Sequence, residues 1–265
     1  MSTDASWVGS MPEIYDRCLG PALFAPYAEV LGARAAELTP ASVLELAAGT
    51  GIATAALVRH LPGARIVATD LNASMVAWAS ERVPGATWLQ ADAQALDVPA
   101  SSFDLVVSQF GVMFFPDRVA AYVESARALR PGGSVLVAIW DTIDTSTFPL
   151  ALADSLAVVL PEGAPTFVVR VPHGYTDPAL IEADLRAAGL TDVVLDRVVL
   201  PSTATSAADL ARGFCLGTPL RFALEERGSL EDLTRAVAEE MTARLGTGAV
   251  SGELAAYVAS ARRAD

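Results

Sequence analysis

Two carboxylates and the loop of small residues between them are the groups in this sequence whose type and spacing can do chemistry. Glu45 closes an apolar run in "SVLELAAGTGIATAAL", and the small residues Ala47 to Gly51 follow at once. Small side chains let backbone amides approach a ligand, glycine tolerates dihedrals that a Cβ forbids, and a following helix presents unpaired amides. Asp70 stands 19 residues beyond Gly51, at the end of the next apolar run, where a carboxylate can accept both hydroxyls of a ribose. Loop and acid together point to a nucleoside-containing ligand. A dinucleotide fingerprint asks for a third glycine where "GTGIAT" has Thr54, and a carboxylate facing a pyrophosphate would repel it. A ligand with a cationic end suits Glu45 better. The competing structural role for Glu45 is to cap its own loop amides.

These groups need elements to hold them. From Val43 onward, short runs rich in β-branched and apolar residues ("SVLELA", "ARIVATD", "ATWLQAD", "FDLVVSQF", "GSVLVAIW") alternate with segments of helical length such as Ile52 to Leu61 and Asn72 to Arg82. Runs without polar alternation read as strands buried on both faces, and the alternation predicts an α/β fold with a doubly wound parallel sheet and right-handed crossovers. The ligand crevice of such a sheet lies beyond the carboxyl ends of the strands, beside the first one, where Ala47 to Gly51 fall. Ahead of this core the pattern predicts a cap of two short helices broken near Gly20 and Pro21. Behind it, "PLALADSLAVVL" reads as helix, "PEGAPTFVVRVPHGYT" as irregular, Pro178 to Ala188 as helix and "DVVLDRVVL" as a sixth strand. An Ala-rich helical tract runs from Ser206 to Leu245, and "LAAYVASARR" fits helix or strand by periodicity.

The formal net charge of −13 and the absence of any basic block exclude a surface built to neutralise phosphate backbones, so no nucleic-acid partner is expected. The acidity serves solubility, offsetting a mean hydropathy of +0.41. Cys18 and Cys215 lack metal-ligand spacing and are expected to be reduced and buried. The start of the chain lacks a secretory pattern, and the longest apolar stretch carries Asp154 and falls short of the roughly 20 residues that cross a bilayer. The expectation is a cytoplasmic protein with no membrane insertion and no metal.

"VLELAAGTGIATAAL", "ATDLN", "QADAQALDVPASSFDLVVSQFGVMFFPD" and "ESARALRPGGSVLVAIWD" together resemble the class I S-adenosylmethionine-dependent methyltransferases, in the branch similar to the ubiquinone/menaquinone-biosynthesis enzymes. The resemblance covers Val43 to Asp141 most strongly. It implies a Rossmann-like seven-stranded sheet whose last strand, "LAAYVASARR", is antiparallel, and one methyltransferase domain over residues 1–265. Within it the expected parts are a helical cap (1–40), a cofactor core (41–141), a lid insertion (142–176), a helix and sixth strand (177–200), a helical lid (201–254) and the last strand (255–265).

Carried over residue by residue, the resemblance places Glu45, Ala47, Gly49, Thr50 and Gly51 under the methionine portion of S-adenosylmethionine, which leaves as S-adenosylhomocysteine. It places Asp70 on the ribose, Leu71 beside the adenine, Asp92 and Ala93 at the adenine edge, and Ser108, Gln109 and Phe110 near the sulfonium, with Tyr15 and Met75 completing the cofactor set. The family has glycine where Ala47 stands. Methyl transfer needs nucleophile, carbon and sulfur nearly collinear, and that positioning supplies most of the rate. For an acceptor that must lose a proton, His173 in "VPHGYTD" is the candidate base, because the chain has two histidines and His60 sits at a helix end. Tyr15, Tyr175 and Asp141 are lesser candidates. Trp140, Phe148, Phe167, Tyr175, Phe214, Leu216 and Phe222 mark an apolar, lidded pocket for a small molecule methylated on O, N or activated C. The alternatives are a cyclase, decarboxylase or regulatory module of the same fold, or a nicotinamide-dependent oxidoreductase.

Overall fold

The computed structural model describes residues 7–264 of the chain. In chain order the elements are α1 (Met11–Cys18), α2 (Ala25–Glu37), β1 (Ser42–Glu45), α3 (Ile52–His60), β2 (Arg65–Asp70), α4 (Ala73–Arg82), β3 (Thr87–Gln90), β4 (Phe103–Gln109), α5 (Arg118–Ala128) and β5 (Leu129–Trp140). There follow α6 (Thr147–Val159), α7 (Phe167–Arg170), α8 (Pro178–Ala187), β6 (Leu190–Ala204), α9 (Ala207–Gly217), α10 (Leu220–Glu225), α11 (Leu230–Leu245) and β7 (Val250–Arg263).

The strands form one seven-stranded sheet in the order β3-β2-β1-β4-β5-β7-β6. β1 pairs in parallel with β2 and β4, whereas β7 runs antiparallel between β5 and β6. β1 is buried along its whole length and β2 from Ile66 onward, which is why their sequences read as unbroken apolar runs. The order reverses between β1 and β4, and this switch point opens a crevice beyond Glu45 and Gln109. Gly51, at φ +87°, starts α3 immediately after the β1 loop. A Cβ there would meet the Trp88 ring at 3.1 Å and Ala79 at 3.3 Å, so glycine lets α3 approach β3 and α4.

Several boundaries differ from expectation. The break at Gly20 and Pro21 is a single wide helical turn, Gly20–Phe24, that leads straight into α2; a widened turn absorbs the amide that proline lacks. β5 begins at Leu129 rather than Gly133, with an irregularity in its pairing to β4. β6 reaches Ala204 and β7 begins at Val250, because the two pair from Leu190↔Arg263 to Ala204↔Val250. The sixth strand therefore passes residue 200, the last starts before residue 255, and the helices α9, α10 and α11 lie between Ala204 and Val250. Tyr27 secures this hairpin to α2: its hydroxyl lies 2.9 Å from the Val198 carbonyl oxygen and 2.8 Å from that of Leu254. Cys215 is buried, whereas Cys18 is only partly covered, so one of the two cysteines departs from expectation. Among the described residues no helix is long and apolar enough to cross a membrane.

Candidate active site

The crevice at the switch point is a cavity of about 600 Å³, roofed by α1, α7 and α9. Its floor is the sequence motif. Glu45, Ala47, Gly49 and Thr50 line it from the β1 loop, Asp70, Leu71 and Met75 from β2 and α4, Asp92 and Ala93 from the segment after β3, and Gln109 and Phe110 from the end of β4. Gly51 and Ser108 stand just behind this surface, Gly51 packing α3 and Ser108 buried beneath Gly111.

Asp70 ties the loops together. One carboxylate oxygen accepts the Gly49 amide at 2.9 Å and the other the Asn72 amide at 2.8 Å. Burial raises its pKa, and the hydrogen bonds from Asn72 and Gly49 oppose the rise. Glu45 is 1 % exposed, and its Oε2 has no hydrogen-bond partner. Burial, with the charge of Asp70 adding to it and Thr54 opposing, pushes its carboxyl up to about 8. Gln109 donates through Nε2 to the Phe24 carbonyl at 3.1 Å, and its Oε1 is likewise buried and unpartnered. Buried acceptors without donors are costly unless a ligand supplies them.

Ala47 takes a left-handed conformation at φ +51°, as does Phe110 at +53°. Phe110 lies flat on Trp140, with ring centroids 3.5 Å apart and planes 2° from parallel. Trp140, the end of the run "GSVLVAIW", is the last residue of β5, its ring forming the cavity wall. Tyr15 stacks on Phe24 at 4.7 Å and meets the edge of Trp7 at 4.9 Å. Burial, and the charges of Asp16 and Asp70, raise its phenol well above the ordinary value, which keeps it neutral and unsuited to act as a base.

His173 lines the same cavity, and its Nδ1 lies 2.6 Å from the carbonyl oxygen of Asp141. A carbonyl only accepts, so Nδ1 carries the proton and Nε2 is the free basic nitrogen. Burial lowers the imidazole's pKa, and the bond to Asp141 opposes that. The Asp141 carboxylate itself is taken by Arg197 at 2.7 Å, and the Tyr175 hydroxyl donates to Asp184 at 2.8 Å, which removes both from the candidate bases. Of the remaining expected pocket residues, Phe167 and Phe214 line the cavity. Phe148 is buried in the core behind it, Leu216 and Phe222 are partly covered and face elsewhere, and Tyr175 packs under Arg118. His60 pairs with Glu29 at 2.9 Å, away from the cavity.

Sequence reasoning missed Trp7, Phe24, Phe114, Phe115, Pro116 and Arg118. The last four follow β4 directly in "FFPDR", and their position beyond the switch-point strand was the available signal.

Comparison with known proteins decides the family. A methyltransferase domain model matches residues 44–137. A demethylmenaquinone methyltransferase of Thermus thermophilus is 31% identical over 170 residues, covering 59% of this chain and 77% of the relative. The chain belongs to the S-adenosylmethionine-dependent methyltransferase family. A trans-aconitate 2-methyltransferase of Azoarcus sp. is 37% identical to this methyltransferase over 97 residues, a match that spans 37% of the chain and 38% of the relative. The phosphoethanolamine N-methyltransferase 2 of Haemonchus contortus, solved in complex with S-adenosyl-L-methionine, shares the fold at a TM-score of 0.60 and 16% identity, over 96% of this chain and 57% of that one. The residues of this methyltransferase fit the family's cofactor: the unpartnered Glu45 Oε2 answers a cationic group, and the open space at left-handed Gly49 leaves room against the loop.

Proposed function

We propose that this methyltransferase transfers a methyl group from S-adenosylmethionine to an O, N or activated C of a small molecule, in cytoplasmic secondary or cofactor metabolism and without a nucleic-acid partner. The observation that carries the reading is the buried, unpartnered carboxyl oxygen of Glu45 in a cavity whose next strand ends in Asp70. When bound, S-adenosylmethionine supplies a methyl carbon activated by a positive sulfur. Asp70 holds the ribose hydroxyls with lone pairs that its bonds to Gly49 and Asn72 leave free. Glu45, once ionised, balances the cofactor's cationic end. Leu71, Met75 and Ala93 enclose the adenine, and Asp92, one oxygen of which accepts the Gln94 amide at 2.9 Å, offers its other oxygen at the adenine edge. The Phe110–Trp140 stack and His173 face the acceptor, and His173 Nε2 takes its proton when it has one to lose.

Calorimetry tests this reading. The wild type binds both S-adenosylmethionine and S-adenosylhomocysteine, and Asp70→Ala weakens both by at least about tenfold, the size of a lost charge-assisted hydrogen bond. Heat-silent titrations with both compounds, with no shift in melting temperature, remove the proposal.

A further inference from the structure

Arg118 lines the cavity, yet neither cofactor nor proton transfer gives it work. It is the first residue of α5, and its guanidinium carbon stands 4.3 Å from the centre of the Tyr175 ring. Its Nε is 3.6 Å from Asp184 Oδ2, beyond hydrogen-bond reach, and that oxygen already accepts the Tyr175 hydroxyl. The Nε is buried and has no hydrogen-bond partner. A guanidinium carries five N–H donors, and leaving a buried one unmade next to a cavity is costly unless a ligand accepts it. The ring beneath it and Asp184 beside it fix its plane, so its fork is set before any ligand arrives.

The surroundings narrow the ligand. Phe114, Phe115, Pro116 and Phe167 line the cavity with Arg118, and the rings of Phe114 and Phe167 are 6.4 Å apart. A fixed planar fork matches a planar anion with two oxygens, and aromatic walls match an apolar body. A dianionic phosphate would put a second negative charge against these walls, where burying it is costly, whereas a carboxylate brings one.

We propose that Arg118 binds the carboxylate of an apolar carboxylic acid, and that this acid is the methyl acceptor. The assignment of the acid as acceptor rests on the methyltransferase reading; the carboxylate site itself does not.

Calorimetry with matched probes separates the two. Indole-3-acetate, cinnamate and decanoate, each beside its primary amide, are titrated into the protein saturated with S-adenosylhomocysteine and into the ligand-free protein. At least one acid binds about tenfold or more tightly than its amide, as a charge-assisted fork requires. Arg118→Gln reduces that acid to the level of its amide, and Arg118→Lys, which keeps the charge and loses the fork, retains only part of the preference. Both variants keep the S-adenosylhomocysteine affinity of the wild type within about twofold, which establishes that they are folded. The proposal falls when no acid exceeds its amide, or when Arg118→Gln leaves the preference intact. Failure of the wild type to bind S-adenosylhomocysteine overturns the methyltransferase reading instead, and the titrations of ligand-free protein still decide the carboxylate site.

Discussion

Ala47 and Gly111 share the space of one methyl group: a Cβ at Gly111 would lie 2.6 Å from the Cβ of Ala47. Ala47 adopts φ +51°, a left-handed conformation that favours glycine. A left-handed alanine costs about 1 kcal/mol, close to what alanine regains over glycine by restricting the unfolded chain. Ala47→Gly is therefore expected to change stability by less than about 1 kcal/mol. Gly111→Ala meets both Ala47 and the Ser108 Oγ, at 2.8 Å, and is expected to lose about 1–3 kcal/mol by overpacking. The double variant should cost less than the sum of the two, which urea unfolding of all four proteins measures.

Glu45 makes stability fall as pH rises. The folded protein keeps the carboxyl proton up to about 8, whereas the unfolded chain loses it in the ordinary carboxylic range. Between those limits the folded state binds more protons, so ligand-free stability declines with pH by up to about 1.4 kcal/mol per pH unit. Glu45→Gln should flatten most of that slope between pH 5 and 8, leaving the parts due to Asp70 and Asp16, whose pKa values burial also raises, and the opposite contribution of His173, whose pKa burial lowers. A cationic ligand favours the ionised form, so S-adenosylmethionine should release protons on binding near pH 7. Calorimetry in buffers of different ionisation enthalpy reads the release.

The tautomer of His173 is open to direct observation because the chain has only two histidines. Nitrogen NMR of the imidazoles should show His173 protonated at Nδ1, with a titration midpoint below the ordinary histidine value of about 6.5. Where the acceptor loses a proton, His173→Ala should lower kcat by about 10²–10⁴-fold. A kcat unchanged by the substitution would remove the base from the reaction.

α1 and α9 meet backbone to backbone. A Cβ at Gly217 of α9 would lie 2.7 Å from the Tyr15 amide nitrogen of α1, while the nearest atoms to one at Gly213 would be the Leu19 side chain at 2.7 Å and the Cys18 Cβ at 2.8 Å. The Leu19 side chain can turn aside, whereas a helix backbone cannot. Gly217→Ala should therefore displace α1, cost about 1–3 kcal/mol and weaken S-adenosylhomocysteine binding, with Gly213→Ala milder on both counts. Urea melts and calorimetry of the two variants test the order.

The contrast between what could and could not be read ahead of the structure follows from distance along the chain. The β1 loop and Asp70 were legible because a parallel crossover places them within one β-α-β unit, and β1, β2 and β4 were legible because burial on both faces forbids polar interruptions. β6 lies at the sheet edge, where alternate residues face water, so its ends carried no apolar boundary. β7 is rich in alanine, which suits helix as well as strand, and only its resemblance to a family strand decided it. Phe148 and Leu216 have the composition of pocket residues, yet helix rotation turns Phe148 into the core and Leu216 away from the cavity. The lining residues Trp7, Phe24 and Arg118 come from three separate segments of the chain, and no local pattern records that the fold brings them together.

Of the four tryptophans in the chain, Trp7 sits edge-on to Tyr15 and Trp140 lies flat on Phe110, and both line the cavity. Whatever fills that space changes the polarity around two indoles at once, while Trp78 and Trp88 remain outside it as an internal standard. The protein thus carries its own optical gauge of occupancy, and ultraviolet-excited emission can follow loading and release without any label.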